Sequence, residues 1–461
     1  MMNGRIKTFL EYFILGHVYI ILYYISFRLP EKYFIYSSVH MIMASILLTV
    51  YSDSLRIQYL KKSYSIVTSM LWMIVIYFYV AAIKYPTCFF LVVNFNSNPI
   101  FRLEGSCIIA ASTLIAIIIN KNGTIILGND DIFQVKDYVL LIFICVMFYT
   151  NILHPQMIHS AGYFNEDSVF MQIFKEGLNA LFIIIAFYNT INANVKISIK
   201  LSGGKRLPVG RKHIYLFIIL FIYLVGAIIT GRRTTLIMPV ALVLSMMQRE
   251  YIIKPKTIIH ITALIPIIYI LISVLSFHVS KRLGEDASSY AAVLGYRLDL
   301  ADFANEIASR TNIHTRNAKE ILFDGMKSFF PTAIANHIGI DKTAVQRGYG
   351  GAYDELMSIA GLTTVDYGSN AFVMGATVAG YIGMVFMLPI ITVVYRMVEH
   401  LFNRYFRHKS VFIGILSFYY LKIEMLWVSF FPRILWCVII CIFASIIMKI
   451  MYFAKAITYS E

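Results

Sequence analysis

The sequence predicts an all-α fold, a polytopic integral membrane bundle of about twelve transmembrane helices with a large, partly helical extramembrane segment late in the chain. Three observations predict it. Hydrophobic residues fill 59% of the 461 positions and charged residues only 14%, whereas a water-soluble domain carries about a quarter charged residues. Uncharged apolar runs recur at 140–149, 216–230 and 258–277, too many and too long for one water-soluble core. Lys and Arg, finally, cluster in alternate connections along the chain. Unpaired backbone groups are costly in hydrocarbon, so spans must be helices or closed barrel strands. The absence of two-residue alternation selects helices.

The expected spans are 9–27, 33–51, 64–83, 104–120, 137–153, 173–191, 213–230, 234–248, 257–278, 370–395, 410–430 and 434–453. The apolar run from Phe9 lacks a following small-residue cleavage site and reads as a first span rather than a removed signal peptide. An even number of spans puts both termini on one side. If that side is cytoplasmic, 22 of the 40 Lys and Arg lie there, 9 lie in the long segment described next, and 9 lie at other external or intramembrane positions. The formal net charge of +15 is then mainly an insertion signal, and a nucleic-acid partner is disfavoured. The chain thus divides into helices at 1–278, an external segment at 279–369 and further helices at 370–461.

Segment 279–369 is far longer than a connection requires. Nine basic and eleven acidic residues balance within it, and its aliphatic and aromatic content disfavours disorder. In 290–310, Val293, Leu294, Leu300, Phe303 and Ile307 recur at helix-like intervals, as do Ile321, Leu322 and Phe329 in 317–330. A folded cap is the expectation. The five cysteines show no metal-ligand spacing and read as small core hydrophobes, including Cys437 and Cys441 on one helix face.

Several residues can carry chemistry. Gly231-Arg232-Arg233-Thr234-Thr235 places two guanidiniums at a tight external turn, where their planar forks match phosphate oxygens; arginines at helix ends also simply snorkel to headgroups. Arg297, Asp299 and Asp302 lie close together in sequence. They can hold a phosphate, bond sugar hydroxyls or supply a base, or else form ordinary ion pairs on a solvated face. His337 follows Phe329-Phe330-Pro331, and apolar neighbours keep an imidazole neutral, as a proton acceptor or as a packed side chain. Arg347 precedes a glycine-rich turn, while Tyr367 and Asn370 lead into the tenth span; sugar contacts and plain turn chemistry both account for them. Lys422 and Glu424 fall inside a span, and Arg433 sits in a tight external turn. A P-loop, a dinucleotide fingerprint, a zinc-protease helix and a nucleophile elbow are all missing, so nucleotide-dependent and familiar hydrolase chemistry lack support.

The sequence resembles the O-antigen polymerases (Wzy). The likeness lies in many helices, a large external segment late in the chain and outward-facing arginines. Locally it lies in Gly231-Arg232-Arg233-Thr234-Thr235, in Tyr296-Arg297-Leu298-Asp299, and in Gly368-Ser369-Asn370-Ala371-Phe372 entering a helix with Gly375, Gly380 and Gly383. The resemblance implies a glycosyltransferase of the bacterial inner membrane with both termini cytoplasmic. Its substrate would be an undecaprenyl-diphosphate-linked oligosaccharide, with the bilayer and a chain-length regulator as partners and with no cofactor and no metal. It further implies catalytic roles for Arg232, Arg233, Arg297, Asp299 and His337. Arg232, Arg233 and Arg297 would stabilise the departing diphosphate, and His337 or Asp299 would take the hydroxyl proton. Substrate contacts would come from Arg282, Asp302, Arg347, Tyr367, Asn370 and Arg433. An O-antigen ligase needs similar parts, and a lipid-linked oligosaccharide flippase is the alternative from another class. Transporters more often show internal repeats and broken helices, and neither is evident by eye.

Overall fold

The computed structural model describes residues 2–27, 31–61, 63–65, 67–90, 103–123, 125–126, 133–153, 177–190, 211–229, 302–309, 371–405, 430–455 and 457–459, with Leu242, Met246, Gly339 and Ile415 as single positions. Helices dominate them. In chain order they are α1 (Met2–Phe27), α2 (Glu31–Leu60), α3 (Val67–Phe90), α4 (Leu103–Asn120), α5 (Asp137–Phe148), α6 (Gly177–Thr190), α7 (Arg211–Ile229), α8 (Asp302–Ser309), α9 (Ala371–Tyr405) and α10 (Phe430–Phe453). Four short strands accompany them: β1 (Ser63–Tyr64), β2 (Ile125–Ile126), β3 (Phe133–Val135) and β4 (Ile457–Tyr459). The spans expected at 257–278, 234–248 and 410–430 lie outside the described residues, save for Leu242, Met246 and Ile415, each helical and buried, and Phe430, which opens α10.

Among the described residues, three stretches are long and apolar enough to cross a membrane, namely Tyr33–Leu60, Leu103–Asn120 and Val378–Tyr405. Shorter apolar helices cover Phe9–Leu22, Val67–Ile83, Asp137–Leu153, Gly177–Thr190, His213–Gly226 and Cys437–Phe453. Their outer faces carry large apolar side chains: Leu15 and Ile25 on α1, Phe217 on α7 and Ile382 on α9 are all more than half exposed. Water would tolerate such faces poorly, whereas lipid tails solvate them.

Contacts divide the chain into two compact units. The first comprises Met1–Ile126, Ile253–Met397 and Lys422–Phe431. In it α2 packs against α1, α3 and α4. Gly16 of α1 lies against the Met41 side chain of α2, where any added Cβ would collide with the sulfur. Strands β1 and β2 pair antiparallel, Ser63 with Ile126 and Tyr64 with Ile125, so the chain leaving α2 is tied to the chain leaving α4. Helix α2 runs nine residues beyond the expected end at 51, to Leu60. Asp53 and Arg56 end the apolar run there, yet the helix continues because Ser54, Leu55 and Gln58 remain buried.

The second unit comprises Leu127–Ile252, Val398–Leu421 and Pro432–Glu461. Helix α5 packs on α7, and β3 pairs antiparallel with β4, Phe133 with Tyr459 and Val135 with Ile457. The chain entering α5 is thereby joined to the chain leaving α10. Asn189 of α6 accepts the Val135 backbone N–H at 2.9 Å, which satisfies a buried strand donor.

Helix α9 departs from the sequence expectation. A single span was expected at 370–395, but Ala379 (φ −148°, ψ 26°) and Gly380 (φ 58°, ψ −140°) leave the helical region and break it. The chain doubles back so tightly that the Gly375 and Gly383 backbones meet, each standing where a Cβ on the other would go. Gly380 adopts a conformation that is essentially restricted to glycine. The part after the break remains long enough to cross a hydrocarbon core of about 30 Å at about 1.5 Å per residue.

Candidate functional site

Two of the sequence-derived site residues are described. Asp302 opens α8, and Arg433 lies in the first turn of α10. Arg232, Arg233, Arg282, Arg297, Asp299, His337, Arg347, Tyr367 and Asn370 lie outside the described residues, as do Lys422 and Glu424.

Around Asp302 the first unit builds a junction. Helix α8 is, apart from Gly339, the part of the long polar segment that the structure describes, and Ala304, Asn305, Ile307 and Ala308 bury one face of it. That face packs on α4. A Cβ on Gly105 would stand 2.6 Å from the Asn305 Cβ, so α8 approaches as closely as a glycine permits.

The neighbour of Gly105, Ser106, is fully buried and bonded to His40 of α2, with 2.9 Å between Oγ and Nε2. His40 Nδ1 lies 3.0 Å from the Tyr36 carbonyl oxygen. A carbonyl only accepts, so Nδ1 donates, and in the neutral ring Nε2 then accepts the serine hydroxyl. The imidazole is flanked by the Tyr36 ring at 4.1 Å and the Phe78 ring at 6.1 Å. These residues lay beyond sequence reasoning because His40 and Ser106 are 66 positions apart and neither belongs to a motif.

At the other end of α4, a buried network joins three helices. Thr68 Oγ1 donates to Gln58 Oε1 at 3.0 Å, Asn120 Nδ2 donates to Thr68 Oγ1 at 2.9 Å, and Gln58 Nε2 donates to the Asn120 carbonyl at 2.9 Å. Arg396 of α9 donates to the Ile119 carbonyl and, at 3.5 Å, to that of Gly123. A guanidinium there answers both the carbonyls left open at a helix C-terminus and its negative dipole end.

In the second unit, α5 ends in a widened π-turn, Tyr149–Leu153. Asn151, buried within it, donates to the Met147 carbonyl at 2.9 Å and exchanges bonds with Asn179 of α6. Gly226 of α7 packs against it, with 2.8 Å between a would-be Cβ and the Asn151 Cβ. Gly226 precedes the Arg232-Arg233 pair by six positions.

The cysteines divide. Cys437 and Cys441 are buried and unbridged, as packing residues should be, whereas Cys107 and Cys145 are exposed rather than in the core. Uniform apolarity hides which face of a span meets lipid. No group of three or more His, Cys, Asp or Glu able to hold a metal occurs among the described residues.

The class these helices define is a predominantly α-helical protein with helices fit to cross a membrane. No family model matches the chain, and neither a curated protein nor a solved structure is similar to it.

Proposed function

We propose that the protein is a membrane-embedded glycosyltransferase of the O-antigen polymerase type. It would move a growing glycan from undecaprenyl diphosphate onto a lipid-linked oligosaccharide repeat unit at the periplasmic face of the bacterial inner membrane. The observation that carries the reading is the seating of α8 on α4 through Asn305 and Gly105. A catalytic cap must be held against the spans that hold its lipid-linked substrate, since misplacing reacting groups by about 1 Å can cost about a hundredfold in rate. The pairing of β1 with β2 and the Arg396 bonds to α4 also suit the basic connections grouped on the proposed cytoplasmic side.

In the proposed reaction a terminal hydroxyl of one repeat unit attacks the anomeric carbon of the growing chain, and undecaprenyl diphosphate departs. Arg232, Arg233 and Arg297 meet the charge on the leaving group, and Asp299 or His337 takes the proton. Asp302 contacts sugar hydroxyls. The test is the surface polysaccharide of a deletion strain. A polymerase null leaves a single capped repeat that wild type extends again; a ligase null leaves none, and an unchanged ladder rejects the reading.

One observation favours a second class. The break at Ala379–Gly380 makes α9 a discontinuous helix, a feature that lipid-linked oligosaccharide flippases and other transporters use to expose backbone groups to substrate. Accumulation of repeat units on the cytoplasmic leaflet of the deletion strain would select it.

A further inference from the structure

His40 is an ionisable side chain at 0% exposure in an apolar helix, and no step of the proposed reaction uses it. An imidazole in such a place costs free energy that a well-packed leucine or phenylalanine would not, unless its bonds are put to use. Both ring nitrogens are bonded, one to its own helix and one across to Ser106. Ser106 adjoins Gly105, the residue on which Asn305 of α8 is seated. The first turn of α4 is therefore held by α2 on one flank and covered by the cap helix on another. Asp302 stands three residues, slightly under one turn, before Asn305.

We infer that His40 is a positioning residue: its bond to Ser106 fixes the turn of α4 on which α8 sits, and so sets where Asp302 meets the glycan. This rests on the reading of Asp302 as a contact to sugar hydroxyls. A carboxylate that bonds a hydroxyl must keep its distance to within a few tenths of an ångström. A two-sided hold on the turn that seats α8 supplies that constancy. The bond requires a side chain with a directional acceptor, which explains histidine where an apolar residue would pack more cheaply.

The test uses the full chain in nanodiscs, with a lipid-linked oligosaccharide as acceptor. Asn305→Cys in a background lacking the native cysteines reports the seating of α8, because position 305 is 5% exposed and a thiol there should resist maleimide. His40→Ala and Ser106→Ala should each raise the labelling rate about tenfold. With Asn305 restored, they should raise KM for the acceptor about tenfold while kcat changes less than about twofold. His40→Gln, which can still bond Ser106, should recover most of both. Asp302→Ala should add little to His40→Ala, because the two act through one contact. A merely structural histidine would lower stability without this KM effect or this non-additivity. If His40→Ala misfolds, Gly105→Ala displaces α8 by the other route, and Gly105→Ala with Asn305→Gly restores the room. Unchanged labelling and KM in folded His40→Ala overturn the inference, and a raised KM in Asp302→Ala alone would then leave the polymerase reading standing. Absence of glycan transfer by the wild type overturns that reading and the role of Asp302 with it.

Discussion

Asn151 and Asn179 hold each other in a closed pair: Asn151 Nδ2 donates to Asn179 Oδ1 at 3.2 Å, and Asn179 Nδ2 donates to Asn151 Oδ1 at 3.1 Å. Both residues are buried, so the pair joins α5 to α6 where water cannot compete. Asn179→Ala leaves the Asn151 carboxamide without its partner and should cost about 1–3 kcal/mol. Replacing both with leucine removes every unmet polar group at once and should cost less than the single change. Thermal unfolding in detergent checks the order, and a double variant less stable than the single one would overturn it.

The reversal in α9 depends on glycine at three positions for two reasons. Gly375 and Gly383 lie too close together for any Cβ, so alanine at either should destabilise by about 1–3 kcal/mol through overpacking. Gly380 holds a left-handed φ of 58° with ψ at −140°, and Gly380→Ala should cost about 1–3 kcal/mol in strain. Should all three alanine variants match wild type in thermal unfolding, the chain does not double back there.

Arg396 closes the C-terminal end of α4 through two backbone carbonyls. Arg396→Ala should cost about 1–3 kcal/mol, since charged donors make stronger bonds than neutral ones. Arg396→Lys keeps the charge without the fork and should fall between the two. The comparison is again by unfolding temperature.

The proposed topology makes a sided prediction. A cysteine at Asn122, beside β2, should react with a membrane-impermeant maleimide only in inverted vesicles, and one at Ser309, exposed at the end of α8, only in right-side-out spheroplasts. Both positions labelling from one side would reject the proposed topology.

Under the proposed reaction, loss of either arginine at 232 or 233 should lower polymer formation about a hundredfold or more at matched expression, as removal of an electrostatic stabiliser of a leaving group does. The length distribution of surface polysaccharide reads it out. Chelator should leave the activity in place; its loss would show that a metal takes part.

Among the described residues, helices were legible from long apolar runs. The expected span at 104–120 differs from α4 by one residue, and 213–230 differs from α7 by two residues at its start and one at its end. Ends were less legible. Helix α2 continues past Asp53 and Arg56 because burial of Gln58 and its bonds to Thr68 and Asn120 hold the last turns, and none of those partners is near it in sequence except Thr68. The site was legible only as residue types. Asp302 announced itself by its neighbours Arg297 and Asp299, but Asn305 and His40 carried no motif.

The sequence by itself determined the solvent and the periodicity: recurrent uncharged apolar runs require lipid, and backbone groups in lipid require helices. It also determined where polar chain accumulates, because charge density is local information. Tertiary structure alone decided which polar residues meet. His40 and Ser106 lie 66 positions apart, and Gly105 and Asn305 lie 200 positions apart. It decided as well that a run expected as one span reverses at Ala379–Gly380, and that Cys437 and Cys441 face inward while Cys107 and Cys145 face out. The physical reason is the same in each case. A uniformly apolar helix is stable in any rotation about its own axis, so its buried face is chosen by the neighbours it packs against and by the few hydrogen bonds that only one arrangement can complete.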